Sequence, residues 1–198
     1  MRAALAAAAG CPAGGIDARV AASAAHLGLA GRLIAPAVGV AVLRRGGDVS
    51  LADAWWQDEL GGPFPLSVPL SAGGNRSRGE WHRELLGEVI APLTGGVARL
   101  GGVSDQVLWG NVASAVNAAA NQAARARPQF ADAAWQAAGV LFATPWLSGE
   151  RQRPGPAYRR SSCCLFYRLS PEGPRAVCGD CVLAGAGRTG EQASPRSE

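Results

Sequence analysis

Four of the five cysteines of this chain lie close together near its C-terminal end. They form two adjacent cysteines, 13 intervening residues and a C-x-x-C pair: Cys163, Cys164, Cys178 and Cys181. The C-x-x-C spacing lets two sulfurs reach one metal centre from a tight turn, and Gly179 permits the backbone conformation that such a turn often needs. We expect no export signal at the N-terminus and therefore a reducing compartment, where clustered cysteines indicate metal binding rather than disulfides.

The adjacent pair distinguishes between two kinds of metal site. Side chains of consecutive residues tend to diverge, so Cys163 and Cys164 are poorly placed to bind one tetrahedral zinc ion together. Zinc sites usually have two to four residues between the ligands at each end. A 2Fe–2S cluster is wider, and its two irons can accept ligands from different angles. The spacing therefore favours a 2Fe–2S cluster, with a structural zinc module as the alternative.

The excess positive charge of the chain lies beside these cysteines. Residues 1–150 carry 11 arginines and 11 acidic residues, whereas residues 151–198 carry 8 arginines and 4 acidic residues. A 2Fe–2S cluster with four thiolates is an anion, and reduction adds one negative charge. The arginines predicted to compensate that charge are Arg159, Arg160, Arg168 and Arg175. A solvated surface or a nucleic-acid contact is the other interpretation of this basic run.

The remaining residues predict a mainly α fold with a buried core, since 48% of the chain is hydrophobic and 17% is charged. Apolar residues recur at helical spacing from Asp17 to Leu43. Within that stretch Gly31 and Pro36 predict a break into two helices. No uncharged apolar run reaches the length of a membrane-spanning helix, so no stable membrane insertion is expected.

A turn-rich insert is predicted after this first helical stretch. Residues 44–79 are rich in glycine and proline, and they predict a short β-hairpin formed by Leu51–Trp56 and Leu66–Leu70. Helices are predicted to resume near Gly79, with an interruption at Thr94-Gly95-Gly96.

A long helix is predicted from Ser104, a plausible N-cap residue, to Pro128, and a further helix is predicted to end near Pro145. The predicted division of the chain is an N-terminal segment (1–16), a helical domain (17–150), a cluster-binding segment (151–184) and a disordered tail (185–198).

The cysteine motif resembles that of the FhuF-type ferric siderophore reductases, whose C-terminus carries adjacent cysteines followed by C-x-x-C and binds a 2Fe–2S cluster. The matching stretches are Arg159-Arg160, CCLFY (163–167), CGDC (178–181), RVAASAAHLGLAGRLIAP (19–36) and LWGNVASAV (108–116). The separation of the two cysteine pairs is longer here than is usual in that family, and the loop SPEGPRA is expected to accommodate the difference.

The resemblance implies a cytoplasmic iron–sulfur oxidoreductase that passes one electron to a ferric siderophore, with hydroxamates among the candidate types, and so releases Fe(II). Siderophore oxygens hold Fe(III) far more tightly than Fe(II), so a single electron suffices. The implied cluster ligands are the four cysteines named above, and no catalytic residue beyond the cluster is implied. The chain has no Walker motif, and its G-x-G-x-x-G stretch, GAGRTG (185–190), lies in the predicted disordered tail rather than between a strand and a helix. The electron is therefore expected from an external donor such as a ferredoxin or a flavin reductase.

Four further residues are predicted to contact the substrate: Trp109, Asn111, Arg159 and Arg160. Trp109 and Asn111 have a second interpretation, in which they pack beneath the cluster, and Trp109 is also compatible with a place in the core. An alternative function is a 2Fe–2S sensor of iron or redox state that contacts nucleic acid. No helix-turn-helix with basic recognition residues is visible, so no nucleic-acid partner is expected.

Overall fold

The computed structural model describes residues 1–43, 48–49, 54–57, 65–71, 81–169 and 177–185. Its helices are α1 (Arg2–Ala9), α2 (Ala18–Leu43), α3 (Trp81–Arg83), a π-helical segment (Glu84–Ile90), α4 (Ala91–Gly101), α5 (Asp105–Ala126) and α6 (Ala131–Phe142). Its strands are β1 (Asp48–Val49), β2 (Trp55–Trp56), β3 (Leu66–Ser67) and β4 (Leu70–Ser71). Short 3₁₀ turns lie at Ala13–Gly15, Pro128–Phe130, Pro145–Leu147, Phe166–Leu169 and Val182–Gly185. The mainly α fold class with a small β-hairpin is confirmed.

The centre of the fold is the contact between α2 and α5, the most extensive one between described elements. Both helices contribute fully buried branched side chains, such as Ile34 and Val38 from α2 and Val112 and Val116 from α5. Alanines fill many of the intervening positions on α5, which lets the two backbones approach closely. Helices α4 and α6 pack against this pair.

Helix α2 is continuous, so the predicted break at Gly31 and Pro36 is wrong. Pro36 lies inside the helix, where it removes one backbone hydrogen bond. The residues on either side of it, Ile34, Ala37 and Val38, are buried in the core. Their packing offsets the cost of the proline, and local propensity is overruled by tertiary contact.

The predicted interruption at Thr94-Gly95-Gly96 is also wrong, because α4 runs through it from Ala91 to Gly101. The Thr94 hydroxyl is buried and donates a hydrogen bond at 2.7 Å to the carbonyl oxygen of Ile90, the last residue of the π-helical segment. The same hydroxyl accepts a hydrogen bond from His26 of α2 at 3.0 Å. These contacts anchor the glycine-containing stretch of α4 to α2. The predicted helix start near Gly79 lies outside the described residues.

The predicted hairpin is present as two short antiparallel pairs. Strand β2 pairs with β3 in the register Trp55↔Ser67 and Trp56↔Leu66. Strand β1 pairs with β4 in the register Asp48↔Ser71 and Val49↔Leu70. Residues 51–53 of the predicted first strand lie outside the described part of the chain.

The predicted long helix is α5, which begins after Ser104 and ends before Pro128. Ser104 is the N-cap residue, although its side chain makes no capping hydrogen bond. After α6, residues 151–160 form neither helix nor strand. This segment nevertheless packs on α5, since the Gly155 amide donates a hydrogen bond to Asn117 Oδ1 at 2.8 Å. The predicted disordered tail lies outside the described residues from position 186 onward.

By length and composition, α2 would be long and apolar enough to cross a membrane, with a mean hydropathy of 1.6 over its most apolar 18 residues. The buried central helix of a folded domain has the same character. In this structure α2 buries ten of its 26 residues, including one third of its most apolar 18 residues, and it contacts α4, α5 and α6.

Candidate metal centre

The two cysteine pairs are connected by hydrogen bonds from the Arg159 side chain and the Arg160 backbone amide, a few residues before the first pair. The Arg160 amide donates a hydrogen bond to the Asp180 carbonyl oxygen at 3.1 Å. The Arg159 guanidinium donates one to the Gly179 carbonyl oxygen at 2.6 Å. Both acceptors lie inside the C-x-x-C turn, which is itself closed by a hydrogen bond from the Cys181 amide to the Cys178 carbonyl oxygen at 3.1 Å. These bonds therefore fix the second pair beside the first.

The structure places the two predicted cysteine pairs next to each other. Cys164 and Cys178, one from each pair, are joined by a side-chain hydrogen bond. Cys163 lies close enough to Cys164 and Cys181 for each to act electrostatically on its thiol. Cys164 and Cys181 are buried, and Cys163 and Cys178 are half-buried. Among the residues that the structure describes, no group of three or more His, Cys, Asp or Glu side chains is already arranged to hold a metal ion.

Each cysteine pair carries a backbone hydrogen bond to sulfur in the same local geometry. The Leu165 amide donates to Cys163 Sγ at 3.3 Å, and the Leu183 amide donates to Cys181 Sγ at 3.3 Å. In both cases the donor lies two residues after the cysteine. Leu165 has a φ of 70°, a left-handed conformation that non-glycine residues adopt rarely and mostly where the surroundings enforce it. Hydrogen bonds of this kind stabilise a thiolate and tune an iron–sulfur cluster.

The surroundings shift the pKa values of three of the cysteine thiols in different directions. The hydrogen bond from Cys178 holds the pKa of the Cys164 thiol below its usual range, and the nearby Arg160 guanidinium acts in the same direction. The same hydrogen bond raises the pKa of Cys178. Burial raises the pKa of Cys163. Of Cys163, Cys164 and Cys178, Cys164 is therefore the thiol that most readily becomes the anion that a metal binds.

Arg160 is the most unusual charged residue of the site, because only 1% of its surface is exposed. Its Nε donates to the Ser162 carbonyl oxygen at 2.6 Å, and its Nη2 donates to the Val107 carbonyl oxygen at 3.1 Å and to Asn111 Oδ1 at 2.9 Å. Its Nη1 has no hydrogen-bond partner in the described part of the chain. No carboxylate among the described residues forms an ion pair with this guanidinium.

A buried polar network connects Arg160 to the cysteines. Asn111 Nδ2 donates to the Ser23 carbonyl oxygen at 3.0 Å and to Ser23 Oγ at 3.1 Å. The Ser23 hydroxyl then donates to the Cys164 carbonyl oxygen at 3.0 Å. Asn111 and Ser23 are both fully buried. The network therefore links α2, α5 and the first cysteine pair through hydrogen bonds shielded from water.

Gly110 permits the close approach of the motif to α5. A Cβ at this position would overlap Ser162 Oγ and lie 2.8 Å from Arg160 Nη2. Any side chain here would therefore force the buried Ser162 and Arg160 side chains to shift. Sequence reasoning did not single out Gly110 or Ser23, although both lie inside the upstream stretches that resemble the FhuF-type proteins.

The structure distributes the four predicted substrate contacts over different environments. Asn111 and Arg160 are buried and hydrogen-bonded to each other beneath the cysteine motif. For Asn111, packing beneath the cluster was predicted as the alternative to substrate contact. Trp109 is half-buried and packs against the core. Arg159 is exposed beside the C-x-x-C turn.

The other two predicted compensating arginines are not part of this arrangement. Arg168 pairs with Asp17 at 3.2 Å. It also lies over the Tyr167 ring, at 5.7 Å from the ring centroid. Arg175 lies outside the described residues.

The donor set fits a 2Fe–2S cluster. Four cysteines, two amide-to-sulfur hydrogen bonds and a buried cation with no carboxylate partner among the described residues together suit an anionic iron–thiolate group. A buried positive charge is costly unless a negative charge accompanies it. The bound cluster would supply that charge to Arg160.

The comparison with known families agrees with this geometry. The protein is of the iron–sulfur class, with a 2Fe–2S cluster as its cofactor. More particularly, residues 160–183 match the FhuF 2Fe–2S C-terminal domain. This match includes both cysteine pairs and confirms the predicted resemblance over this segment. No curated protein and no solved structure matches the chain. The structural zinc module is accordingly set aside.

Proposed function

We propose that this protein is a cytoplasmic ferric siderophore reductase, whose cluster is held by Cys163, Cys164, Cys178 and Cys181. The match of residues 160–183 to the FhuF 2Fe–2S C-terminal domain carries the proposal, because that match covers the whole cysteine motif. The cluster supplies a one-electron relay when bound. An external donor of the ferredoxin or flavin-reductase class provides the electron, and Fe(III) in the chelate takes it up as Fe(II), which the siderophore oxygens hold far less tightly.

The residues around the cysteines support this function through charge and hydrogen bonding. The Arg160 guanidinium stabilises the more negative, reduced state of the site, and so raises its reduction potential. The Leu165 and Leu183 amides act in the same direction through their hydrogen bonds to sulfur. The network of Asn111 and Ser23 holds Arg160 in place. The reaction requires no proton transfer by a side chain.

A stoichiometric reduction under anaerobic conditions tests the function. Protein reduced with dithionite and freed of excess reductant is mixed with a ferric tris-hydroxamate, a ferric tris-catecholate or a ferric carboxylate chelate. Cluster oxidation is followed by visible absorption, and released Fe(II) is trapped with a ferrous chelator. We expect one Fe(II) for each cluster oxidised with at least one chelate class. Reduced protein that leaves all three untouched would contradict the proposal and favour the sensor alternative.

The ligand set is tested with serine substitutions. Replacing Cys163, Cys164, Cys178 or Cys181 by serine should bleach or destabilise the cluster. Cys11→Ser is the matched control, because Cys11 packs beside Ile16 in a separate apolar cluster near the N-terminus. Loss of the visible spectrum in Cys11→Ser would show that the ligand assignment is wrong.

A further inference from the structure

A cleft of about 580 Å³ runs between α2 and α5 and ends at the metal centre. Cys178, Gly179 and Asp180 of the C-x-x-C turn line one end of it. Helix α2 contributes a mainly apolar wall that includes Leu27 and Ala35. The volume lies in the range of pockets that bind small molecules. A molecule bound in this cleft would therefore lie next to Cys178, one of the proposed cluster ligands.

The opposite wall of the cleft offers several hydrogen-bonding groups from one face of α5. Asn117, Asn121 and Gln122 line it, together with Ser114. The Ser114 side chain is 8% exposed, and its Oγ has no hydrogen-bond partner in the described part of the chain. A buried hydroxyl without a partner is costly and uncommon in folded proteins. A ligand with oxygen or nitrogen groups would satisfy it.

The charges around the cleft are mainly positive. Arg159 and Asp180 both line it. Two adjoining grooves share residues with the cleft and add Arg125 and Arg127, both exposed. The residues that line the cleft and the two adjoining grooves therefore include three arginines and one carboxylate. A ligand with a net negative charge would be attracted to it.

We propose that this cleft is the binding site of the ferric substrate, and that the substrate is an anionic chelate with oxygen-rich polar groups. The inference rests on the proposed function and specifies where its substrate binds. The amides of Asn117, Asn121 and Gln122 and the Ser114 hydroxyl bind the polar groups of the chelate. Arg159 pairs with its negative charge, and the apolar α2 wall packs against its hydrocarbon part. The bound chelate then lies beside Cys178.

The test measures binding separately from electron transfer by using gallium(III) in place of iron(III). Gallium(III) has the same charge and similar coordination chemistry, but dithionite does not reduce it. Binding of a neutral gallium tris-hydroxamate and of an anionic gallium tris-catecholate is measured by calorimetry on the cluster-containing protein. We expect the anionic chelate to bind more tightly, and Arg159→Gln to remove most of that preference. Equal binding of the two chelates would overturn the charge assignment.

Substitutions within the cleft locate the site. Ala118 is exposed and lines the cleft, so Ala118→Trp fills it without entering the core. Ala8→Trp on exposed α1 is the matched control, because α1 lines no part of the cleft. We expect Ala118→Trp to abolish gallium chelate binding, Ser114→Ala to weaken it about fivefold, and Ala8→Trp to leave it unchanged. An unchanged visible spectrum shows that each variant retains its fold and cluster.

The outcomes separate this site from the proposed function. If Ala118→Trp binds the chelates as tightly as the unsubstituted protein, the cleft is not the site, even where iron reduction proceeds normally. Binding in the cleft with no reduction of the iron chelates would instead contradict the proposed function and leave the site intact. Absence of gallium chelate binding in the unsubstituted protein would overturn the site.

Discussion

The Arg160 guanidinium donates a hydrogen bond to Asn111 Oδ1 at 2.9 Å, with both side chains buried. This bond joins a residue three positions before the first cysteine pair to the N-terminal half of the central helix α5. It holds a positive charge beneath the cysteines, where Arg160 has hydrogen bonds to neutral oxygens but no described carboxylate partner. Because the charge is fixed in position, it can act on the reduction potential of the site.

Arg160→Gln should lower the reduction potential of the cluster. The substitution removes a buried positive charge that stabilises the reduced, more negative state. The potential is measured by redox titration of the visible or paramagnetic resonance spectrum. Arg153→Gln is the control, since Arg153 is exposed in the same segment of chain. An unchanged potential in a folded Arg160→Gln protein would show that the guanidinium does not compensate the cluster charge.

Gly110→Ala should disrupt the cysteine motif. The added methyl group would overlap the Ser162 hydroxyl and crowd the Arg160 guanidinium, so these two buried side chains must shift. We expect a fall of about 2 kcal/mol in the free energy of unfolding, together with a reduced cluster content by iron and sulfide analysis. Gly28→Ala is the matched control, because Gly28 lies in α2 with open space around it. That variant should gain up to about 1 kcal/mol. Equal behaviour of the two variants would refute the close approach.

Asn111→Ala should destabilise the protein by about 2 kcal/mol or more. It leaves buried groups of Ser23 and Arg160 without their partner. The free energy of unfolding is obtained from urea titrations followed by far-ultraviolet circular dichroism. Gln136→Ala on the exposed side of α6 serves for comparison and should change it by less than about 0.5 kcal/mol. A near-neutral Asn111→Ala would mean that the network contributes little to folding.

The stability of the protein should fall as the pH is lowered from about 6.5 to about 4, in part because of His26. Burial lowers the pKa of His26 from 6.5 to about 4. Its Nε2 donates to Thr94 Oγ1, whose own proton is donated to Ile90, and its Nδ1 has no described partner for an added proton. In this pH range the unfolded chain binds a proton that the folded chain does not, so His26 contributes up to about 3 kcal/mol that is present above pH 6.5 and lost toward pH 4.

His26→Leu tests this pH dependence. The variant should show a smaller slope of unfolding free energy against pH between 6.5 and 4.5, whatever its absolute stability. Urea titrations at several pH values measure that slope. If both proteins have the same slope, His26 is not the residue responsible.

The cofactor and most of the helices could be predicted from the amino-acid sequence. The order and spacing of the four cysteines predicted a 2Fe–2S cluster, because ligand type and separation are local properties of the chain. The amphipathic pattern of α5 and the hairpin pairing of Trp55–Trp56 with Leu66–Ser67 were predictable for the same reason. Helix breaks at Pro36 and at Gly95-Gly96 were predicted wrongly, because packing against neighbouring helices outweighs the local preference of these residues.

The residues that surround the cysteines could be identified only from the tertiary structure. Arg160 is buried near the cysteines and is therefore placed to compensate the charge of the cluster. Arg168 is instead paired with Asp17, 151 residues away along the chain. Ser23, Gly110 and the cleft beside Cys178 depend on how α2 and α5 pack against the C-terminal segment. A sequence pattern shows which residues can bind a metal or a charge. Only the packing of distant segments determines which of them are buried, brought into contact and left without a partner.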